Sequence, residues 1–206
     1  MILFMEGMKY RHNVLILAGT GDSRAQKTIE VATKHWKNHG IDVTVYNVGW
    51  REGETNFESK LDQIQNLIDE LAQKGPVSII GCSAGASAAF NALTKKPDVI
   101  QKAISVCGRL RGAKEEWSKE MQDDPFIQSV LMFEEQEAQI PEELKKRMMT
   151  VSARFGDRLV PKETSNLEGA ENITIPTKMH GLSIVMALTL FKKPIIDFIK
   201  LAPNQE

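Results

Sequence analysis

Val77-Ser78-Ile79-Ile80-Gly81-Cys82-Ser83-Ala84-Gly85 is the stretch on which the reading of the chain turns. A short apolar run, Val77 to Ile80, suits a strand buried on both faces, and the small residues from Ala84 to Ala92 suit a helix packed tightly on a sheet. Between them lies Gly81-x-Ser83-x-Gly85. By itself the G-x-S-x-G pattern is common, and the strand before it and the helix after it are what give it meaning. A serine there occupies a sharp, strained turn that lifts its hydroxyl clear of the sheet. The flanking glycines leave room for the neighbouring strand and helix to pass close by. The residue after the serine begins the helix, so its backbone N–H faces a developing oxyanion, reinforced by the positive end of the helix dipole.

Outward from this point the chain alternates strands and helices. Upstream, Val14–Ala18 is a wholly apolar run ending in Gly19-Thr20-Gly21. Ser23-x-x-Gln26 resembles a capping box, and Ala25, Ile29, Ala32 and Trp36 recur at helical spacing until Gly40. Val43–Val48 is the second strand. Phe57, Leu61, Ile64, Ile68 and Leu71 line one face of a helix that Gly75-Pro76 terminates. Downstream, strands are predicted at Ala103–Val106, Met149–Ala153 and Ile173–Ile175, with a last helix from Leu182 to Ile199 that Pro194 bends or interrupts. Such alternation implies right-handed crossovers and a three-layer α/β/α sandwich around a parallel sheet. Ligands bind such sheets beyond the carboxyl ends of the strands. One segment breaks the rhythm: residues 111–147 hold no strand and read as a helical insertion within a single domain spanning 1–206. It is either a lid over the strand ends or extra helices packed on the body.

A serine hydroxyl is a weak nucleophile at neutral pH and needs a base, which in turn needs an orienting carboxylate. Asp157, in Arg154-Phe155-Gly156-Asp157-Arg158-Leu159-Val160-Pro161, follows the strand ending near Ala153. It reads as that carboxylate, or as a turn or N-cap residue. His180 follows Ile173–Ile175 directly before the last helix and is the only histidine after residue 39. All three would emerge on one edge of the sheet.

On these features the chain resembles an α/β-hydrolase, a small one, from about Val14 to the last helix. The likeness rests on the serine elbow, the G-D-x-x-V-P pattern at Gly156–Pro161 and the late histidine. It implies Ser83 as nucleophile, His180 as general base and then acid, and Asp157 as the orienter of His180. It also implies an oxyanion hole from the backbone N–H groups of Ala84 and Thr20, with Gly21 beside Thr20 as the alternative to it. Many relatives carry a histidine before that glycine, where this chain has Ala18. The stretch before Val14 has no room for two further strands of a full-length member. The expected sheet is therefore a trimmed, six-stranded parallel one ordered 2-1-3-4-5-6.

Composition narrows the remaining choices. The 206 residues carry 26 Lys and Arg against 27 Asp and Glu, a formal charge of −1, with 42% hydrophobic residues. That is a globular composition, and it gives no general argument for nucleic acid or an anionic membrane surface as partner. No signal peptide or membrane span is evident, which predicts a cytoplasmic protein. His35 and His39 are spaced for a metal but lack a third ligand, and read as the solvated end of the first helix. Gly19-Thr20-Gly21-Asp22-Ser23-Arg24 fails as a dinucleotide fingerprint. Arg24 stands where Gly or Ala is required, and Asn47 and Val48 stand where an acid is required. No metal or organic cofactor is expected. Cys82 reads as a buried filler, and Cys107, ending the neighbouring strand, could pair with it as a redox switch. Arg109 and Arg111 either face the pocket mouth, favouring a substrate with an anionic group, or are surface arginines. The expected function is a serine hydrolase cleaving a carboxylic ester or thioester of a small acyl substrate through an acyl-enzyme. A peptidase or amidase on the same triad, and an inactive hydrolase scaffold serving as a binding protein, are the alternatives.

Overall fold

A computed structural model of the chain describes residues 11–21, 23–51, 56–112 and 123–201. Six strands, β1 (His12–Leu17), β2 (Ile41–Tyr46), β3 (Val77–Cys82), β4 (Ile100–Val106), β5 (Met148–Ala153) and β6 (Glu171–Ile175), form one sheet. Its order is β2-β1-β3-β4-β5-β6, and every neighbouring pair is parallel. Both the order and the parallel pairing match the expectation from sequence.

Alternation along the strands builds two cores. In β1, Leu15 and Leu17 face a cluster with Phe57, Ile64 and Phe90, while Val14 and Ile16 face one with Ile29, Leu188 and Ile195. Helices α2 (Phe57–Ala72), α3 (Gly85–Lys95) and α4 (Pro125–Gln136) cover the first face. Helices α1 (Ser23–Thr33), α6 (His180–Leu188) and α7 (Lys192–Lys200) cover the second, and α5 (Glu142–Lys145) is a single turn leading into β5. Among the described residues no helix is long and apolar enough to cross a membrane.

Several boundaries differ from the sequence reading. β2 begins at Ile41 rather than Val43. α1 ends at Thr33, and Trp36–His39 form a separate 3-10 turn closed by Gly40 in the left-handed region, φ 76°. Ser23 is the first helical residue rather than a cap, and the Gln26 amide donates forward to Glu30 Oε1 at 2.9 Å. The last helix is two helices, broken over residues 189–191. Pro194 is the third residue of α7, where a missing N–H costs no intrahelical bond, so the break falls before the proline. At the break, the Trp36 indole N–H donates to the carbonyl of Leu188 at 3.0 Å and satisfies an orphan acceptor of the α6 terminus.

Of the insertion read at 111–147, residues 113–122, with Trp117 and Met121, lie outside the described residues. The longest element of the remainder is α4, started by Asp124, whose Oδ1 accepts from Phe126 N–H at 2.8 Å. This helix lies on α3. Ser87 and Ser129 hydroxyls are 2.7 Å apart, the Asn91 amide donates to Ser129 O at 2.8 Å, and the Phe90 and Phe133 rings are 5.4 Å apart. It therefore forms part of a helical layer, and only its first turn, at Phe126, reaches the strand tips.

Candidate active site

Ser83 has φ 55°, a left-handed backbone that a non-glycine residue holds only when its surroundings enforce it. The surroundings do so by close approach. A Cβ on Gly81 would collide with the backbone of Gly85 and Ala86, and one on Gly85 would lie 2.6 Å from Leu17 O. The turn is pinned by Ser83 N–H donating to Val106 O at 3.0 Å and Ala86 N–H donating to Ser83 O at 3.1 Å. Gly108, after β4, is equally tight: a side chain there would strike Ala86 and come within 2.7 Å of Ser83 O. Gly19 packs against the serine itself, since its Cβ would sit 2.8 Å from Ser83 Cβ.

Three side chains distant in sequence meet here. His180 Nε2 is 2.8 Å from Ser83 Oγ, and His180 Nδ1 is 2.6 Å from Asp157 Oδ2. A carboxylate can only accept, so Nδ1 carries the proton and Nε2 is left to accept from the serine hydroxyl. Asp157 is almost fully buried, its side chain 5% exposed. Its Oδ1 accepts from Leu159 N–H at 2.9 Å and Val160 N–H at 3.3 Å, so the turn after β5 aims Oδ2 at the imidazole. The two loops run in register, with Arg154 N–H donating to Ile175 O at 2.8 Å and Phe155 N–H to Thr177 O at 3.0 Å. His180 opens α6, whose first turn is held by buried Ser183, with Oγ 2.7 Å from Thr177 Oγ1 and 2.8 Å from Met179 O.

Thr20 and Ala84 both border the space in front of Ser83. Among the described residues the peptide N–H of neither has a hydrogen-bond partner. The carbonyl before this loop, Ala18 O, accepts from the buried Trp50 indole N–H at 3.1 Å. Sequence reasoning missed Trp50, although an indole directly after a strand signals a buried donor in need of an acceptor.

Two hollows meet at Ser83 and His180. The larger, of about 610 Å³, runs between α1 and α6 and is walled by Ala25, Ile29, Ala32, Ile184, Val185 and Leu188, with Gly21 at its mouth. The smaller, of about 160 Å³, lies on the other side and is bounded by Ala84, Arg109, Phe126 and Val160. Of the two arginines, Arg109 is buried and lines this smaller hollow. Arg111 lines neither, because Glu137 holds its guanidinium in an ion pair. His35 and His39 are exposed at the 3-10 turn. No group of three His, Cys, Asp or Glu suited to a metal occurs among the described residues.

Cys82 and Cys107 are both buried and free. Burial pushes the Cys82 thiol up, and it pushes Cys107 up to about 12, with the Asp157 charge adding to the latter. Both are thiols at neutral pH, a poor starting point for disulfide exchange. Cys107 has φ 51°, a second left-handed position beside the elbow that nothing in the sequence signalled.

No family model matches this chain, and no curated protein matches it. Solved structures do. The lipase BlEst2 of Bacillus licheniformis is similar with TM-score 0.66 at 15% identity, over 92% of this chain and 93% of that one. The dienelactone hydrolase of Anabaena variabilis has TM-score 0.64 at 16% identity, over 92% and 85%. Est1E of Butyrivibrio proteoclasticus has TM-score 0.62 at 16% identity, over 94% and 88%. Identities this low speak to architecture alone, and the sheet order and helix layers agree with it: the chain has the α/β-hydrolase fold.

Proposed function

We propose that the protein is a serine hydrolase that cleaves a carboxylic ester or thioester through an acyl-enzyme. The observation that carries this reading is the unbroken relay from Ser83 Oγ to His180 Nε2 at 2.8 Å and from His180 Nδ1 to Asp157 Oδ2 at 2.6 Å, on a serine with φ 55°. Ser83 attacks the acyl carbon while His180 takes its proton, and Asp157 holds the imidazole in the tautomer that can accept. The N–H groups of Thr20 and Ala84 stabilise the tetrahedral oxyanion, a donor of this kind contributing about 2.7–4 kcal/mol. His180 returns the proton to the leaving group, which departs. A water deprotonated by His180 then attacks the acyl-serine and releases the acid. No step calls for a metal or organic cofactor.

The two hollows divide the substrate. An apolar chain suits the cleft between α1 and α6, whose 610 Å³ is ordinary for a small-molecule site. A short group suits the 160 Å³ hollow, where the buried Arg109 favours one bearing negative charge. The similar structures, a lipase and a dienelactone hydrolase among them, are named for ester chemistry of this kind.

A series of p-nitrophenyl esters of rising acyl length tests the reading, run beside p-nitroanilide peptides. Turnover of esters and not anilides is expected, with kcat falling about 10⁶-fold in Ser83→Ala while the fold is kept. Cleavage of anilides at comparable rates would move the reading to amide chemistry. Undiminished ester turnover in Ser83→Ala would remove Ser83 from the mechanism.

A further inference from the structure

The loops that deliver Asp157 and His180 also carry a surface that the hydrolytic reading does not use. Phe155 is 66% exposed, Leu159 68%, Met179 63% and Leu182 49%. Large apolar side chains this open are unremarkable singly, but these four gather at one place. Phe155, Met179, Leu182 and Met186 wall an apolar groove of about 490 Å³. Leu182 also lines the cleft in front of Ser83, as does Leu159, so groove and cleft share a wall.

The same two loops are basic. Arg154, Arg158, Lys162 and Lys178 are all exposed, and none of them has an ion-pair partner among the described residues. Of the acids between β5 and β6, Asp157 is turned inward to His180, Glu163 stands beside Lys162 and exposed Glu168 lies near Lys145. Residues 154–159 thus read cation, aromatic, glycine, inward acid, cation, leucine, and 178–182 read cation, methionine, histidine, glycine, leucine. Interleaved exposed apolar and cationic side chains are the pattern of a surface that lies in the headgroup region of an anionic bilayer. The chain as a whole carries a formal charge of −1, so this concentration of positive charge is local.

We propose that this rim docks the protein on an anionic lipid bilayer, with Phe155 and Met179 entering the headgroup layer and the cleft mouth at Leu159 and Leu182 facing the lipid. Charge complementarity selects an anionic surface over a neutral one, and continuity with the cleft gives the docking a use, the passage of an acyl chain from bilayer to Ser83. The surface itself stands apart from the hydrolytic reading, because binding needs no turnover.

Cosedimentation of the full chain, and of its Ser83→Ala form, with vesicles of phosphatidylcholine alone or mixed with phosphatidylserine is the test. Both forms should bind the anionic vesicles at least tenfold more tightly than the neutral ones, and lose that binding in high salt. Arg154→Glu with Lys178→Glu should weaken it by more than the roughly fivefold expected for each cation removed. Phe155→Ser should weaken it severalfold at unchanged circular dichroism, with hydrolysis of a soluble short-chain ester unaltered in both variants. Equal binding to both vesicle types, or none to either, would overturn the proposal. So would a concentration-dependent dimer in light scattering that Phe155→Ser dissolves, which would assign the surface to a second copy of the chain. If vesicles bind but no ester is cleaved, the hydrolytic reading fails and this one stands.

Discussion

The two faces of the sheet are packed to different ends. On one side α3 is buried along most of its length, and α4 closes over it with the Phe90–Phe133 contact and the Ser87, Asn91 and Ser129 hydrogen bonds. Polar groups are paired there and apolar ones covered. On the other side the 610 Å³ cleft runs between α1 and α6, and the core continues through Trp36 and Ile195. Ser83 stands between the two, fixed from behind by the dense side and open to the loose one. A strained φ survives because α3 and Gly108 hold it, and Ser83 stays open to the cleft that lies between α1 and α6. One face supplies stability and the other supplies access.

That contrast predicts effects of different kind and size. After Ser83→Ala, Asp157→Asn should be the most severe, lowering kcat about 10⁴-fold by losing the tautomer that lets His180 accept, with little change in melting temperature. On the dense side, Phe90→Ala should cost about 3–5 kcal/mol in urea unfolding, because the site is fully buried and cannot collapse. Should it instead leave stability intact and abolish only turnover, the assignment of roles to the two faces would be reversed.

At the opposite end of the sheet from Ser83, buried His12 lies 2.8 Å from Ser78 Oγ, and burial lowers its imidazole from 6.5 to about 4. The unfolded chain takes up this proton below about pH 6.5 and the folded chain resists until about 4. This contribution to stability is therefore complete above pH 6.5 and is lost as pH falls to 4, about 3 kcal/mol in all. Urea titrations across that range should show the decline, and His12→Gln should flatten it. The smallest effect belongs to the loose face. Ala32→Phe, filling the far end of the cleft, should lower kcat/KM for the longest accepted acyl chain about tenfold and leave a short ester unchanged. A uniform loss across chain lengths would place the acyl group elsewhere.

Much of this was legible in the residues. The parallel sheet followed from alternation, and its order from the family resemblance that Gly81-x-Ser83-x-Gly85, Gly156–Pro161 and His180 carry. Ser83, Asp157 and His180 could be named because each follows a predicted strand, and strand ends of a parallel sheet share an edge. Features set by side-chain direction or by contacts between distant segments could not be read. Arg109 and Arg111 look alike in sequence, yet one turns toward Ser83 and the other pairs with Glu137. Trp36 donates to the last carbonyl of α6 from 152 residues away. Gly108 shapes the elbow from a neighbouring strand. A net charge of −1 averages away the basic rim at Arg154, Arg158, Lys162 and Lys178. Patterns repeated along the chain survive as signals, whereas single distant contacts leave none.

Activation of the Ser83 hydroxyl by His180 is put to the test by the reaction of the folded protein with a fluorophosphonate probe. One phosphonyl adduct per chain is expected, mapped by peptide mass spectrometry to Ser83, with loss of that adduct in His180→Ala at unchanged circular dichroism. Labelling at another residue, or none at Ser83 in the folded protein, would contradict it.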